Sequence, residues 1–177
     1  KTIVAGHSEG AHIAAGMAEK SRRISHLIYS GGNPLGRIND IIARGRGRER
    51  DTDSTRFGES AFGYWEEVLK NKDSRLTETG DSFYTTYTFS QPQLNTIARL
   101  KIPVLIVYGT KDTNAPLNDL LRVEVMRKGK DNFTFKPWIN CEHNFFPVRS
   151  DGSIDYSQFN WDEVARFWGE WIGQTAQ

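Results

Sequence analysis

The sequence predicts an α/β fold with a mostly parallel sheet, because strand-like and helix-like segments follow one another along the chain. Residues 2–5 form a short apolar run that opens directly into a helix-like segment of small residues at 11–18. Two further apolar runs lie at residues 24–30 and 102–109, and the second is rich in β-branched residues, as strands buried on both faces are. We therefore expect a buried sheet with helices packed against it.

The turn between the first strand and its helix has the sequence Gly6-His7-Ser8-Glu9-Gly10, which fits the pattern G-x-S-x-G. A serine in this turn needs a strained backbone that lifts its hydroxyl away from the sheet. Side chains two positions before and after it would then collide, so glycine is favoured at both positions. The helix directs backbone N–H groups, that of Glu9 among them, toward any oxyanion that forms there. The alternative interpretation is a serine in an ordinary strand–helix turn.

Together with the strand before it and the small-residue helix after it, this motif resembles the nucleophile elbow of the α/β-hydrolase family. The resemblance implies a mostly parallel sheet with helices on both faces, and a triad in the chain order serine, acid, histidine. The strand before the elbow is the fifth in the family, so strands one to four and a second oxyanion donor are expected to precede Lys1. The chain is accordingly expected to be the C-terminal half of the domain, with about four strands.

Two downstream residues match the rest of the family's triad. Asp112 lies in the turn after the strand at 102–109, where the family has its acid. The alternative role of this aspartate is that of a turn former or helix cap. His143 lies in a loop after a more exposed strand at residues 132–138, where the family places its general base. A helix predicted at residues 117–128 lies between the two.

The three other histidines are weaker candidates for the base. His7 lies inside the elbow, and we expect its side chain to point away from the partner of the nucleophile. A pair of Ser8 with His12 at i,i+4 is conceivable, but the helix would hold that imidazole beside itself and away from the pocket. His26 is expected near the start of a strand.

The single cysteine, Cys141, excludes an internal disulfide and a cysteine-based metal site. Its position near His143 raises the alternative of a Cys–His nucleophile. A thiol on the same loop as the histidine would be poorly placed for attack on a substrate in the elbow pocket. A small loop cysteine is therefore the favoured interpretation.

The resemblance divides the chain into an elbow part of the hydrolase core at 1–33, a helical cap or lid insertion at 34–98 and the remainder of the core at 99–177. A stretch as long as the insertion is unusual without structure in a compact domain, which favours helices. Its aromatic residues could line a substrate pocket, but such residues more often build the core of the cap itself. The predicted helices of the insertion and of the end of the chain lie at residues 35–43, 59–70, 93–100 and 159–172.

A basic stretch follows the first predicted helix of the insertion and consists of Arg44, Arg46, Arg48 and Arg50, separated by Gly45, Gly47 and Glu49. Because Asp51 and Asp53 lie next to this stretch and offset its charge, a solvated loop is the favoured interpretation. The alternative is an anion site for a substrate carboxylate or phosphate.

The composition is that of an ordinary globular protein, with a formal charge of +1, and it gives no signal for nucleic acid or an anionic membrane. No apolar run approaches the roughly 20 residues that span a bilayer. One apolar edge of the first strand is expected to be unpaired in this chain and to need a cover. The candidate covers are the N-terminal half of the fold, a second copy of the chain, or a rearranged segment of the chain itself.

The function that the resemblance implies is a serine hydrolase that cleaves an ester, thioester or amide bond of a small-molecule substrate through an acyl-enzyme. Ser8 would be the nucleophile, His143 the base and Asp112 the acid that orients it. The backbone N–H of Glu9 would be one oxyanion donor. No metal or organic cofactor is implied. The subclass resembles esterase and peptidase-like members, and the alternatives are a non-catalytic binding or scaffold protein of this fold and an acyltransferase.

Overall fold

The computed structural model describes residues 1–51, 56–77 and 80–175. Asp53, which the sequence places beside the basic stretch, lies outside the described residues, as does the side chain of Asp51. The chain divides into two compact units. The first contains Lys1–Pro34 and Leu94–Gln177, and the second contains Leu35–Gln93.

The strands and helices alternate along most of the first unit, whereas the second unit contains helices in its described residues. The strands are β1 (Thr2–His7), β2 (Ile24–Ser30), β3 (Val104–Gly109) and β4 (Phe133–Trp138). The helices are α1 (Glu9–Lys20), α2 (Arg37–Asp51), α3 (Phe57–Lys70), α4 (Phe83–Phe89), α5 (Leu94–Arg99), α6 (Ala115–Arg127) and α7 (Trp161–Thr175).

The four strands form one sheet in the order β1-β2-β3-β4, and every pairing is parallel. The predicted parallel sheet of about four strands is therefore confirmed. Ala5 pairs with Ile28, Ile28 with Leu105, and Leu105 with Thr134. Because the strands are parallel and in register, their carboxyl ends meet at one edge of the sheet, where Ser8 follows β1.

Each face of the sheet packs against its own helices. Alternate residues of β3 belong to two different hydrophobic clusters. Ile106 and Tyr108 pack in the cluster that includes residues of α1, α5 and α6, whereas Leu105 and Val107 pack in the cluster that includes residues of α7. This is the period of two expected for a strand buried on both faces. The face toward α1 is lined by the alanines of that helix, Ala11, Ala14, Ala15 and Ala18. Helices on both faces confirm the predicted architecture.

Two boundaries differ from the sequence prediction because of prolines. β3 begins at Val104 and not at residue 102, since Pro103 has no N–H to donate to the ladder. α6 begins at Ala115, two residues before the predicted start at 117, and includes Pro116 in its first turn. A proline is tolerated there because the first N–H groups of a helix have no partner within it.

The second unit is shorter than the predicted insertion at 34–98. It ends at Gln93, and α5 belongs to the first unit, because Ile97 and Ala98 are fully buried in the cluster around α1. Helix α4 was not predicted. Its sequence consists of aromatic and threonine residues, which favour strands, but Ser82 caps it by accepting a hydrogen bond from the N–H of Thr85.

The basic stretch is not a loop, contrary to the favoured interpretation, but the last turns of α2. Ion pairs along and beside the helix explain this. Arg44 pairs with Asp40 at 3.0 Å, and Arg46 pairs with Glu49 at 2.7 Å and with Glu59 of α3 at 3.1 Å. The i,i+3 and i,i+4 spacings suit a helix. These ion pairs also engage the guanidinium groups of Arg44 and Arg46, which an anion would need in order to bind there.

Gly45, within the basic stretch, lies where α2 closely approaches the start of α3. A Cβ on Gly45 would lie 2.6 Å from the backbone nitrogen of Gly58. The carboxylate of Glu49 also accepts a 2.8 Å hydrogen bond from the N–H of Gly58, in the first turn of α3. The missing side chain at Gly45 therefore permits the close contact of α2 with α3, and the hydrogen bond from Gly58 to Glu49 stabilises it.

Strand β1 forms one end of the sheet and pairs with β2 alone among the described residues. Its Ile3 side chain is 39% exposed. What covers this edge stays a prediction. Within the described ranges, no helix combines the length and apolar character that crossing a bilayer requires.

Candidate active site

Ser8 lies between the end of β1 and the start of α1, with φ of 58° and ψ of −123°. This is a sparsely populated conformation for a residue with a side chain, as expected for the strained turn. The amide N–H of Ser8 donates a 2.8 Å hydrogen bond to the backbone carbonyl of Ser30, at the end of β2. The neighbouring strand therefore holds the strained residue in place. Glu9 is the first residue of α1, so its N–H belongs to the first turn of that helix.

The two glycines of the motif differ in what they permit. A Cβ on Gly6 would lie 2.0 Å from the carbonyl oxygen of Gly10, so no other residue fits there. A Cβ on Gly10 would meet nothing within 4 Å. The expected collision is therefore present at Gly6, and the expectation for Gly10 was wrong, because its Cβ would point into open space.

Ser8, His143 and Asp112 form one hydrogen-bonded line. Nε2 of His143 lies 3.0 Å from Oγ of Ser8, and Nδ1 of the same ring lies 2.7 Å from Oδ2 of Asp112. The Asp112 side chain is 1% exposed, and that of His143 is 23% exposed. The residues are far apart in sequence and converge because β1, β3 and β4 end at the same edge of the sheet.

The turn after β3 fixes the Asp112 carboxylate through its second oxygen. Oδ1 of Asp112 accepts a 2.9 Å hydrogen bond from the N–H of Asn114. The side chain of Asn114 in turn accepts a hydrogen bond from Asn33, and Asn118 donates to the carbonyls of both Asn114 and Gly32. This buried amide network joins the ends of β2 and β3. The sequence analysis missed it, since an asparagine in a turn or helix gives no signal of such a partner.

The loop after β4 holds His143 by bonds within the loop. Oε1 of Glu142 accepts hydrogen bonds from the N–H groups of Asn144 and Phe146, at 2.7 and 3.0 Å. Phe145 is fully buried and has φ of 65°, and its carbonyl accepts a 2.8 Å bond from Asn160. A bulky residue keeps this conformation only where its surroundings enforce it. The loop is therefore rigidly anchored on both sides of His143.

The architecture is similar to that of solved hydrolases. The Pyrococcus furiosus esterase Pf2001 matches with a TM-score of 0.55 at 17% sequence identity, over 99% of this chain and 54% of the esterase. MGS-MChE2, an α/β hydrolase enzyme from the metagenome of sediments of the lagoon of Mar Chica, Morocco, matches with a TM-score of 0.51 at 15% identity, over 99% of this chain and 62% of its own. The chain has an α/β-hydrolase-like fold.

This α/β-hydrolase-like chain thus spans less than two thirds of the length of either solved structure. No protein-family model matches the chain, and no curated protein matches it. At these identities the likeness establishes the fold alone.

His7 does not point away from His143, contrary to the sequence expectation. The two rings lie with their centroids 4.9 Å apart, and the Trp161 ring meets His7 edge-on at 4.9 Å. Burial is the main cause that lowers the pKa of His7 to about 4, and the proximity of His143 lowers it further. The sequence could not show this contact, because Trp161 and His143 come from the opposite end of the chain.

The remaining candidates lie outside the hydrogen-bonded line. Burial lowers the pKa of His12 on α1. His26 is buried in β2, with Nδ1 2.9 Å from Oγ of Ser25. Burial raises the pKa of the Cys141 thiol, whose sulfur lies against the carbonyl of Ile139, so the thiolate is disfavoured. Among residues 1–51, 56–77 and 80–175, no three His, Cys, Asp or Glu side chains are grouped to hold a metal ion.

Proposed function

We propose that this chain carries the catalytic residues of a serine hydrolase that cleaves an ester, thioester or amide bond through an acyl-enzyme. The observation that carries the proposal is the hydrogen-bonded line from Ser8 through His143 to Asp112. Its order and distances are those of a nucleophile, a general base and a group that orients the base. The strained backbone of Ser8 adds support, because such strain is found mainly at functional sites.

His143 is assigned as the base because one of its ring nitrogens lies near Asp112 and the other near Ser8. With the proton on Nδ1, His143 donates to the buried Asp112 carboxylate, which leaves Nε2 free of hydrogen. Nε2 then accepts the proton of the Ser8 hydroxyl as its oxygen attacks the acyl carbon. The imidazolium returns this proton to the leaving group, and Asp112 stabilises the charge on the ring meanwhile. Water then repeats the sequence on the acyl-enzyme.

The tetrahedral intermediate needs donors for its oxyanion. The backbone N–H of Glu9, at the start of α1, is proposed as one of them, aided by the positive end of the helix dipole. A single donor of this kind typically contributes on the order of 3 kcal/mol to lowering the barrier.

The substrate class rests on the chemistry of the line and on the names of the solved structures. An activated serine attacks acyl carbons, and the two proteins compared above are described as an esterase and an α/β hydrolase enzyme. A small-molecule acyl substrate is therefore proposed, with a carboxylic ester as the first one to assay.

A fluorophosphonate probe, which reacts with activated serines, tests the proposal on the full-length protein. Labelling is expected in the wild type and absent in Ser8→Ala. Ser60→Ala, an exposed serine on α3, is the matched control and should label like the wild type. A folded protein that does not label would refute the proposal and favour a binding or scaffold role. Product analysis with competing alcohols separates hydrolysis from acyl transfer.

A further inference from the structure

The imidazole of His7 has no part in the proposed reaction, yet it packs against the ring that does. Its centroid lies 4.9 Å from that of His143, and the planes are tilted by 41°. The contact places a second aromatic ring beside the base. A ring in this place restricts how His143 can rotate or shift.

His7 is itself held from several directions. Its Nδ1 lies 3.0 Å from Oγ of the buried Ser30. Trp161 meets its ring edge-on at 4.9 Å, and Phe145 lies at 5.6 Å. These contacts come from β2, from the start of α7 and from the histidine loop. To move toward His7, His143 would therefore have to displace a ring that also contacts β2, the start of α7 and Phe145 of its own loop.

Gly31 lies close to both imidazole rings. A Cβ on Gly31 would lie 2.7 Å from Cε1 of His7 and 3.3 Å from Cε1 of His143. Both imidazoles therefore rest against one backbone position that has φ of 56° and no side chain. Gly31 lies at the end of β2, so the pair of rings is fixed against the sheet.

The His7 ring is uncharged near pH 7, which is compatible with its place beside His143. Burial lowers its pKa to about 4, the proximity of His143 lowers it further, and Asn144 and Asp112 act in the opposite direction. The ring is therefore neutral near pH 7. A neutral ring leaves His143 able to take a proton from Ser8, whereas a cation in the same place would oppose the imidazolium.

We propose that His7 is a positioning residue for His143, acting as a neutral aromatic wall that keeps Nε2 directed at the Ser8 hydroxyl. This inference rests on the proposed function, since it gives His143 the role of base. Misplacing a reacting group by about 1 Å can lower a rate about a hundredfold. Loss of the His7 ring is therefore expected to slow the reaction through a shift of His143. The groups that face His7 are Ser30, His143, Asn144, Phe145, Trp161 and, through its charge, Asp112.

The test compares three variants of the full-length protein, with p-nitrophenyl acetate as substrate. His7→Ala removes the wall and is expected to lower kcat by about ten- to a hundredfold with little change in KM. His7→Phe restores a flat ring without a titrating group and is expected to recover most of kcat. His12→Ala is the matched histidine control and is expected to leave kcat unchanged.

A double-mutant cycle separates positioning from a merely structural role. If His7 acts through His143, His7→Ala should reduce fluorophosphonate labelling of Ser8 in the wild type but cause no further loss in a His143→Ala background. A role in general stability would lower labelling equally in both backgrounds, and that result would overturn the inference. So would a folded His7→Ala with the kcat of the wild type.

Two further outcomes are distinguishable. If His143→Ala labels as fast as the wild type, the proposed function fails, and the inference fails with it. If His143→Ala is impaired but His7→Ala is not, only the positioning role fails. Should His7→Ala not fold, His7→Gln keeps a polar partner for Ser30 without a ring, and the same loss of kcat is expected from it.

Discussion

The amide N–H of Ser8 donates to the backbone carbonyl of Ser30, 2.8 Å away on the neighbouring strand. Ser30 also contacts the His7 ring, through its side-chain hydroxyl. Ser30 thus holds two consecutive residues of the turn: Ser8 through the main chain, and His7 through the side chain. Since the main-chain bond does not depend on residue type, it links the geometry at Ser8 to the pairing of β1 with β2.

The first prediction concerns the two glycines of the motif. Gly6→Ala is expected to lower the free energy of unfolding by several kcal/mol and to abolish labelling of Ser8, because its Cβ would overlap the carbonyl of Gly10. Gly10→Ala should change the stability by at most about 1 kcal/mol, since its Cβ meets nothing. Urea unfolding of both variants measures this. Equal losses in the two would contradict the close approach at Gly6.

The second prediction concerns acid pH and His7. In the unfolded chain this histidine takes up a proton near pH 6.5, but in the folded chain its pKa is lowered to about 4. Its contribution to stability is therefore complete above pH 6.5 and is lost as the pH falls toward 4. Partial exposure limits the effect to on the order of 2 kcal/mol.

His7→Phe removes this titration and provides the control. The stability advantage of the wild type over His7→Phe, measured by urea unfolding, should shrink as the pH falls from 7 to 4.5. A difference that is constant across this range would show that His7 titrates near its ordinary pKa.

The third prediction concerns the amide network beneath Asp112. Asn118→Ala removes the side-chain donor to the carbonyls of Gly32 and Asn114. The Asn114 carbonyl keeps the backbone N–H groups of Leu117 and Asn118, but the buried Gly32 carbonyl loses this bond. A loss of about 2 to 3 kcal/mol in unfolding free energy is expected, together with a lower kcat because the turn that carries Asp112 loosens. Asp119, the next residue along α6, bonds to Tyr108 and not to this turn. Asp119→Asn should therefore leave kcat near the wild-type value.

The fourth prediction concerns the contact of α2 with α3. Gly45→Ala places a Cβ 2.6 Å from the backbone of Gly58 and is expected to destabilise the second unit by about 1 to 3 kcal/mol. Gly47→Ala, two residues along the same helix, would meet only the end of the flexible Arg50 side chain. It should stabilise the helix by about 0.5 to 1 kcal/mol. Thermal unfolding distinguishes the two, and destabilisation by both would argue for an intrinsic effect of alanine instead.

Local patterns and chain order carried most of what the sequence could predict. The parallel strands are short apolar runs, and the positions of Ser8, Asp112 and His143 follow from where those runs end. What could not be predicted depends on contacts between distant segments. Residue 45 has no room for a side chain because Gly58 of α3 lies against it, and Trp161 packs edge-on against His7.

Two helices of the second unit were not predicted as they are. The neighbouring aspartates, which offset the charge of the basic stretch, suggested a solvated loop, although ion pairs with Asp40 and Glu59 favour a helix there. Helix α4 has the composition of a strand, but its polar cap and its packing in a helical unit decide otherwise. An isolated segment lacks the pairing of Arg46 with Glu59 and the packing of α4 against α3.

The alanines that α1 turns toward the sheet limit which substitutions this face of the helix can accept. Four methyl groups at Ala11, Ala14, Ala15 and Ala18 allow the helix to lie close to the strands, and none leaves room for growth. Replacing any of them with valine would lift the helix and, with it, the oxygen of Ser8 at its first turn. Larger residues on this buried face would therefore shift the Ser8 oxygen, whereas substitutions on the outward face, at the exposed Ile13 and Met17, would not.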